Sequence, residues 1–341
     1  MKKINSLFLL IAIALSFSIV VTSCSKDDDD DDDNGSTPTG QPYANMNDNT
    51  TTDVQLTIPR IEVDPARASN VKLFLSVTDQ EGNPLQDFNQ FNFLIKQTCT
   101  GSTDSVVVAS VTFGTLNQQG GDIASSITMD YSGSMTAYDI TNMENAVRFF
   151  IRNKQPMDQM EVIKFASDVE QMVDFTNDTT DLINAVNTSA SIGIYTSFFD
   201  AVYMGLEDAH NFSMTNSNFL PAVLGFTDGY DNDSGQTLND VVAASDNYQI
   251  PVYTLGFGDA DVTTLENLAN QTGGRYFYSP DSGELQEIYN LISGQLKNLY
   301  VANWVFSLTN CTEGVISVQV TYTCANGTFT SYAIKSFQPL K

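Results

Sequence analysis

The chain has 341 residues and a formal net charge of −26, with 41 acidic side chains against 15 Lys and Arg. A surface so acidic repels phosphate backbones, which argues against nucleic acid as a partner. The single histidine, His210, excludes a zinc site of several His ligands and leaves any Ser-His-Asp triad dependent on one ring.

The first element is a targeting segment. Lys2 and Lys3 precede an apolar run, Ile4–Val21, that ends in Val21-Thr-Ser-Cys24. A basic start, a short apolar core and small residues before a cut describe a secretory signal over residues 1–23 rather than a spanning helix. The cysteine at the cut resembles a bacterial lipobox, which implies lipidation of Cys24 and attachment to a membrane through buried chains. Seven aspartates, Asp27–Asp33, follow and stay solvated because like charges repel. A charged stretch directly after the lipidated cysteine resembles the surface-export signal of some Gram-negative lipoproteins. It implies an outer-membrane protein facing outward, with a periplasm-facing anchor as the alternative. Residues 24–52 as a whole read as lipidated Cys, poly-Asp and a flexible tether.

Residues 53–120 carry strand signals at Val71–Thr78, Phe91–Thr98 and Val106–Phe113, with a turn at Asp79–Pro84. Strand signals return within residues 298–341 at Trp304–Leu308, Val315–Thr323 and Thr328–Phe337. The expected architecture is one β-sandwich completed by both segments, with residues 121–297 inserted; two separate small β modules are the alternative. The run Val77–Leu85, followed by Phe-Asn-Phe at 91–93, resembles an immunoglobulin-like segment found ahead of other exported domains.

Residues 121–297 alternate strands and helices, which calls for an α/β fold on a doubly wound, mostly parallel sheet. Thr141–Glu144 has a capping-box pattern, and Met143, Ala146, Val147, Phe150 and Ile151 keep the spacing of a buried helix face. Met160–Phe165 and Val169–Phe175 are joined too tightly for a parallel crossover, so that pair is antiparallel. A helix then starts at Thr196, strand Ala222–Thr227 follows, and the last helix is marked by Leu285, Ile288, Ile292 and Leu296.

Within this segment one constellation stands out. Asp130-Tyr-Ser132-Gly-Ser134 follows the apolar stretch Ile123–Met129, and Asp228 follows Ala222–Thr227. Both sit where strands end, at the binding crevice of an open α/β sheet. Thr196 lies between them in sequence. Carboxylates and hydroxyls converging there suit a hard divalent cation, Mg²⁺ above all, with Mn²⁺ or Ca²⁺ as alternatives. Gly133 and Gly229 allow close backbone approach. Asp231 and Asp233 lie close enough to rim the site or bind a second ion, although such a run is more often a solvated loop.

Asp-x-Ser-x-Ser, the later Thr and the final Thr-Asp-Gly together resemble the von Willebrand factor type A family over residues 121–297. The resemblance implies a metal-ion-dependent adhesion site on a Rossmann-like fold. Ser132, Ser134 and Thr196 would be direct or near-direct ligands, with Asp130 and Asp228 mostly holding metal-bound waters. The remaining position would take an Asp or Glu carboxylate from a protein partner. One departure is Tyr195, where the family has a small residue before the Thr. The implied function is cation-dependent protein binding without catalysis. A structural subunit of an envelope complex is the alternative. A Mg²⁺-dependent hydrolase is disfavoured, because no general base is evident beside the cluster and no P-loop is present. His210 sits near a helix end, which favours a surface or capping role.

Cys99, Cys311 and Cys324 lack any C-x-x-C spacing. A hairpin of Trp304–Cys311 with Val315–Cys324 would hold its two cysteines about 30 Å apart at strand rise, too far for a disulfide. Cys99 is therefore the expected partner of one of them, and the spacing does not choose which.

Overall fold

The computed structural model describes residues 40–63, 70–116, 122–190, 193–228, 230–278, 285–305, 311 and 313–338. The expected signal segment, Cys24, the aspartate run and Gly229 lie outside the described residues. The first described strands are β1 (Ala44–Asn45), β2 (Val54–Val63), β3 (Asn70–Asp79), β4 (Phe93–Cys99), β5 (Ser105–Val107) and β6 (Thr112–Thr115). Then come β7 (Asp122–Asp130), α1 (Ala137–Asn153), β8 (Gln159–Phe165), β9 (Val169–Thr176), α2 (Thr179–Asn187) and α3 (Phe198–Thr215). They continue with β10 (Phe219–Thr227), α4 (Leu238–Tyr248), β11 (Val252–Gly256), α5 (Val262–Thr272), β12 (Tyr276–Tyr278) and α6 (Leu285–Lys297). The last strands are β13 (Tyr300–Val305), β14 (Gly314–Cys324) and β15 (Gly327–Phe337).

The α/β segment is built on a six-stranded sheet of order β12-β11-β10-β7-β8-β9. Every pairing is parallel except the edge pair β8–β9. Central strand β10 is buried at all its positions, which is why it reads as an unbroken apolar run rather than an alternating one. One face of the sheet packs Met143, Val147 and Phe150 of α1, Leu182 of α2 and Ile288 and Ile292 of α6. The other packs Phe198, Val202 and Leu206 of α3, Val241 of α4 and Leu265 of α5. Each such buried side chain stabilises the fold by roughly 2 kcal/mol.

The remaining strands form two sheets. One has the order β2-β3-β13-β6; in the other β14 pairs with β15, β4 and β1, and β4 with β5. A single apolar cluster spans both, with Leu73, Leu75 and Trp304 from the first and Ile95, Ile316 and Val318 from the second. Strands from both ends of the described chain are thereby interleaved: β13 lies between β3 and β6, and β14 between β4 and β15.

Three local expectations are corrected. Helix α1 starts at Ala137, ahead of the expected capping box at Thr141–Glu144; its cap is Thr136, whose box partner is Asp139. Thr141 lies inside the helix and its hydroxyl donates to Ala137 O at 2.7 Å. The stretch Val106–Phe113 is split, with β5 on β4 in one sheet and β6 on β13 in the other. Finally, β13 and β14 are not a hairpin, because they belong to different sheets. The antiparallel register of β14 with β4 sets Gly314 opposite Cys99, and Cys99 is disulfide-bonded to Cys311 with Cα atoms 5.6 Å apart. Cys324 is a buried free thiol.

The β sheets pack against the edge of the α/β sheet where its strands begin. Gln249, just after α4, accepts a hydrogen bond from Ile61 N at 2.9 Å. Gln295 of α6 donates to Gly82 O at 3.1 Å, and Lys335 Nζ donates to Thr272 O at 3.3 Å. The carboxyl ends of the parallel strands are at the opposite edge, roughly 26 Å away along β10 at strand rise.

Candidate metal centre

Strand β7 ends at Asp130 and β10 at Thr227, and the two run side by side with Met129 opposite Phe226. The chain leaves β7 for β8 on one side, while β10 occupies the other. Strand order therefore reverses between β7 and β10, and the crevice of a doubly wound sheet forms above such a point.

Four of the five expected metal residues meet there in one hydrogen-bonded set. Asp130 Oδ1 accepts from Ser132 N at 2.7 Å, and Asp130 Oδ2 accepts from Thr227 Oγ1 at 2.6 Å. The hydroxyl oxygens of Ser132 and Ser134 are 3.0 Å apart, and Ser134 Oγ donates to Asp228 Oδ1 at 2.8 Å. Thr196, 2 % exposed, lines the same open cavity of about 510 Å³ as Ser134 and Asp228.

Neighbouring loops fix Thr196 in place. Asn232 Oδ1 accepts from Thr196 N at 2.9 Å, and the amides of Asn232 and Asp233 donate to Thr196 O at 2.9 and 3.1 Å. On the other side Ser167 Oγ, in the β8–β9 turn, accepts from Ile194 N and Tyr195 N. Gly193 has φ +86°, and a Cβ there would fall 2.6 Å from Ser167 Oγ, so this turn requires glycine. Gly133 N donates to Ile194 O at 2.8 Å, and a Cβ on Gly133 would crowd that oxygen at 3.2 Å. The metal loop and the Thr196 loop thus touch through backbone.

Electrostatically the site is acidic and uncompensated. Asp130 is fully buried, and burial pushes its carboxyl up to about 6 against the hydrogen bonds from Thr227 and Ser132; the Asp228 charge raises it further. Asp228 is also raised, first by burial and then by Asp139 and Asp259, while its bond from Ser134 opposes the rise. Among the described residues no Lys or Arg forms an ion pair with either carboxylate. Buried charges without a partner are costly, and a divalent cation would supply what is missing. The donors are all hard oxygens. Among the described residues no three His, Cys, Asp or Glu side chains gather as a metal cluster, and the hydroxyl and carboxylate oxygens present are of the kind that hard divalent cations take.

Other residues have duties of their own. Asp231 Oδ2 accepts from Phe199 N at 2.9 Å and so caps α3. Asp233 contributes its backbone to Thr196. Tyr195 is 57 % exposed and projects from the face instead of filling the cavity. His210 stacks on Tyr248 with ring centroids 4.2 Å apart, well down α3 from the site. The amides at the start of α1 are capped by Thr136 and Asp139. Sequence reasoning includes Thr227 only as part of the Thr-Asp-Gly motif, without a role of its own, and does not single out Asn232. For Thr227 the signal is its place beside Asp228 at the strand end; Asn232 sits in a polar loop that carries no pattern.

Fold and site together define an α/β domain with an oxygen-rich, acidic crevice at its strand-order reversal. Residues 126–291 match the model of the von Willebrand factor type A domain, and the chain carries such a domain. Inter alpha-trypsin inhibitor, heavy chain 4, of Mus musculus is 27 % identical over 184 residues. That alignment covers 49 % of this chain and 19 % of the relative, so the chain matches about a fifth of the curated relative's length. Among solved structures, BatB from Bacteroides thetaiotaomicron is 16 % identical with a TM-score of 0.45, covering 52 % of this chain and 100 % of that one. A von Willebrand factor type A protein from Catenulispora acidiphila is 11 % identical with a TM-score of 0.45, covering 89 % and 76 %. Proximal thread matrix protein 1 from the mussel byssus, with a zinc-occupied metal site, is 16 % identical with a TM-score of 0.45, covering 51 % and 47 %. Among the described residues no helix is long and apolar enough to cross a membrane.

Proposed function

We propose that this chain is a lipid-anchored envelope protein whose von Willebrand factor type A domain binds a protein partner through a divalent cation. Asp130, Ser132, Ser134, Thr196 and Asp228 would hold the ion, Mg²⁺ first among candidates, and once bound it offers an open position to a partner's Asp or Glu carboxylate. The observation that carries this reading is the pair of buried carboxylates, Asp130 and Asp228, linked through two serine hydroxyls with no cation paired to them among the described residues.

The placement of the site supports the same reading. It faces away from the two β sheets, which in this proposal form an immunoglobulin-like stalk from residues 53–120 and 298–341. Residues 121–297 form the ligand-binding head. Cys24 would carry the lipid and residues 24–52 the tether to the outer membrane, with the head outside the cell. Non-enzymatic binding fits the site better than hydrolysis, since the one histidine is remote from the cradle.

Calorimetric titration of the full chain with Mg²⁺ and Mn²⁺ tests the cradle. One ion per chain is expected, lost in Asp228→Ala and in Asp130→Ala while the far-ultraviolet spectrum holds. Equal binding by wild type and both variants would overturn the assignment.

A further inference from the structure

The sheet of β5, β4, β14 and β15 buries one side in the apolar cluster shared with the other β sheet and turns its second side to solvent. Alternation separates the two sides: Ile316, Val318 and Val320 point inward, while Val315, Ser317 and Gln319 point outward. The chain has 41 acidic side chains, yet these four strands contain none. Lys335 points inward and donates to Thr272 O, so Lys96 is the one charged residue that the strands turn outward. Among the described residues Lys96 forms no ion pair.

Five apolar side chains stand on this outer side. Ile334 and Tyr332 of β15 are 72 and 67 % exposed, and Val107, Val315 and Leu94 are 42, 39 and 38 % exposed. The strand register gathers them. Ser317 lies between Lys96 and Ile334, with Val107 beyond Lys96, and Gln319 lies between Leu94 and Tyr332. Apolar surface gathered on one face marks a contact surface, whereas scattered single residues do not.

Charge and register narrow what can cover it. Copies of a chain with net charge −26 repel one another wherever carboxylates line the surface, and this face lets two copies meet without opposing carboxylates. We propose that a second copy of the chain docks here, sheet on sheet, about a two-fold axis running along the strands between β4 and β14. That axis lays Ile334 of each copy on Val107 of the other and Lys96 on Ser317, so apolar side chains meet and the two lysines do not. The strands have 11, 11, 7 and 3 residues, and at about 16 Å² of sheet per residue they offer roughly 500 Å² on each copy. The total of about 1,000 Å² is where specific interfaces begin, which gives a reversible dimer in the micromolar range. The contact does not depend on the cation reading above; where that reading holds, the dimer carries two metal faces and gains avidity for a partner with two carboxylate groups.

Sedimentation equilibrium of the full chain from about 1 to 200 μM reads the association directly. The mean mass should rise from one chain towards two, equally in Mg²⁺ and EDTA. Ile334→Lys should raise the dissociation constant at least tenfold, and Ile334→Lys combined with Val107→Asp should recover most of the loss, because each new lysine then meets an aspartate of the other copy. Met157→Lys, at an exposed position off this face, should change nothing. A mass of one chain throughout, association unchanged by Ile334→Lys, or association lost in EDTA would each overturn the proposal. A monomer that instead binds phosphatidylglycerol vesicles in an Ile334-dependent way would also overturn it and give the face to a lipid surface.

Discussion

Replacing Asp130 by asparagine separates its proposed part in holding a cation from its role as a structural hub. In the metal-free protein the carboxyl is buried and pushed up from 3.8 to about 6. A raised carboxyl pKa contributes stability that is complete below the unfolded value and lost as pH rises through the folded one, so at neutral pH the charged form weighs against the fold. At about 1.4 kcal/mol for each pH unit the penalty is at most roughly 3 kcal/mol. Asparagine removes the charge and keeps an acceptor for Ser132 N, while the Thr227 hydroxyl can turn to accept from the new amide. In EDTA at pH 7 the variant should melt several degrees above wild type, at about 2–4 °C per kcal/mol for a domain of this size. With Mg²⁺ the order should reverse: wild type gains about 2.7 kcal/mol at a hundredfold excess over Kd, and the variant gains little. Differential scanning calorimetry in the two buffers reads both effects. A variant that melts lower in EDTA, or that retains the wild-type Mg²⁺ shift, would refute the reasoning.

Asn232→Ala leaves the Thr196 amide without its acceptor and should weaken Mg²⁺ binding about fivefold by calorimetry, whereas Asn232→Asp should retain it; equal losses would remove Asn232 as the group that positions Thr196. Glu161, buried in β8 and bonded by Ser126 Oγ and Gln171 Nε2, is pushed by burial up to about 8. Its stabilising contribution is complete below about 4.5 and lost as pH rises to about 8, so urea midpoints of wild type should fall between pH 5 and 8 while those of Glu161→Gln stay more level. The Cys99–Cys311 disulfide links residues 212 apart in sequence, and the chain-entropy model gives it at most about 5 kcal/mol. Reduction should lower the melting temperature of the β sheets and leave the Mg²⁺-dependent shift of the α/β domain in place; a single transition moved by both reduction and Mg²⁺ would show that the two bodies unfold as one.

The parts of the fold legible in sequence are those where one short-range rule dominates. An apolar run such as Phe219–Thr227 is long enough for a buried strand and too short for a helix, and the spacing of Met143, Val147 and Phe150 admits one helical face. The start of α1 is ambiguous in sequence because two stretches, Thr136–Asp139 and Thr141–Glu144, both have capping-box chemistry. Nothing local says which threonine lies outside the helix. The misplaced β13–β14 hairpin has a different cause. Neighbouring strands of similar pattern can pair with each other or with opposite sheets, and here long-range pairings with β3 and β4 prevail over proximity. At the site, Asp130, Ser132, Ser134 and Asp228 are legible because each follows or joins a strand end. The acceptor role of Asn232 is not, since it depends on a loop folding back across residues far apart in sequence.

Charge gives the site its character. A chain of net charge −26 repels carboxylates in general, and the metal face repeats that bias locally through Asp130, Asp228, Asp139 and Asp259. Two unit charges about 6 Å apart at an effective dielectric of about 20 repel by roughly 3 kcal/mol. On the proposed reading, the same cavity without an ion would therefore reject the acidic group that it would bind when loaded. Gaining one divalent cation would change the sign of the interaction at the centre of the face and leave the charges of Asp139 and Asp259 at its edge.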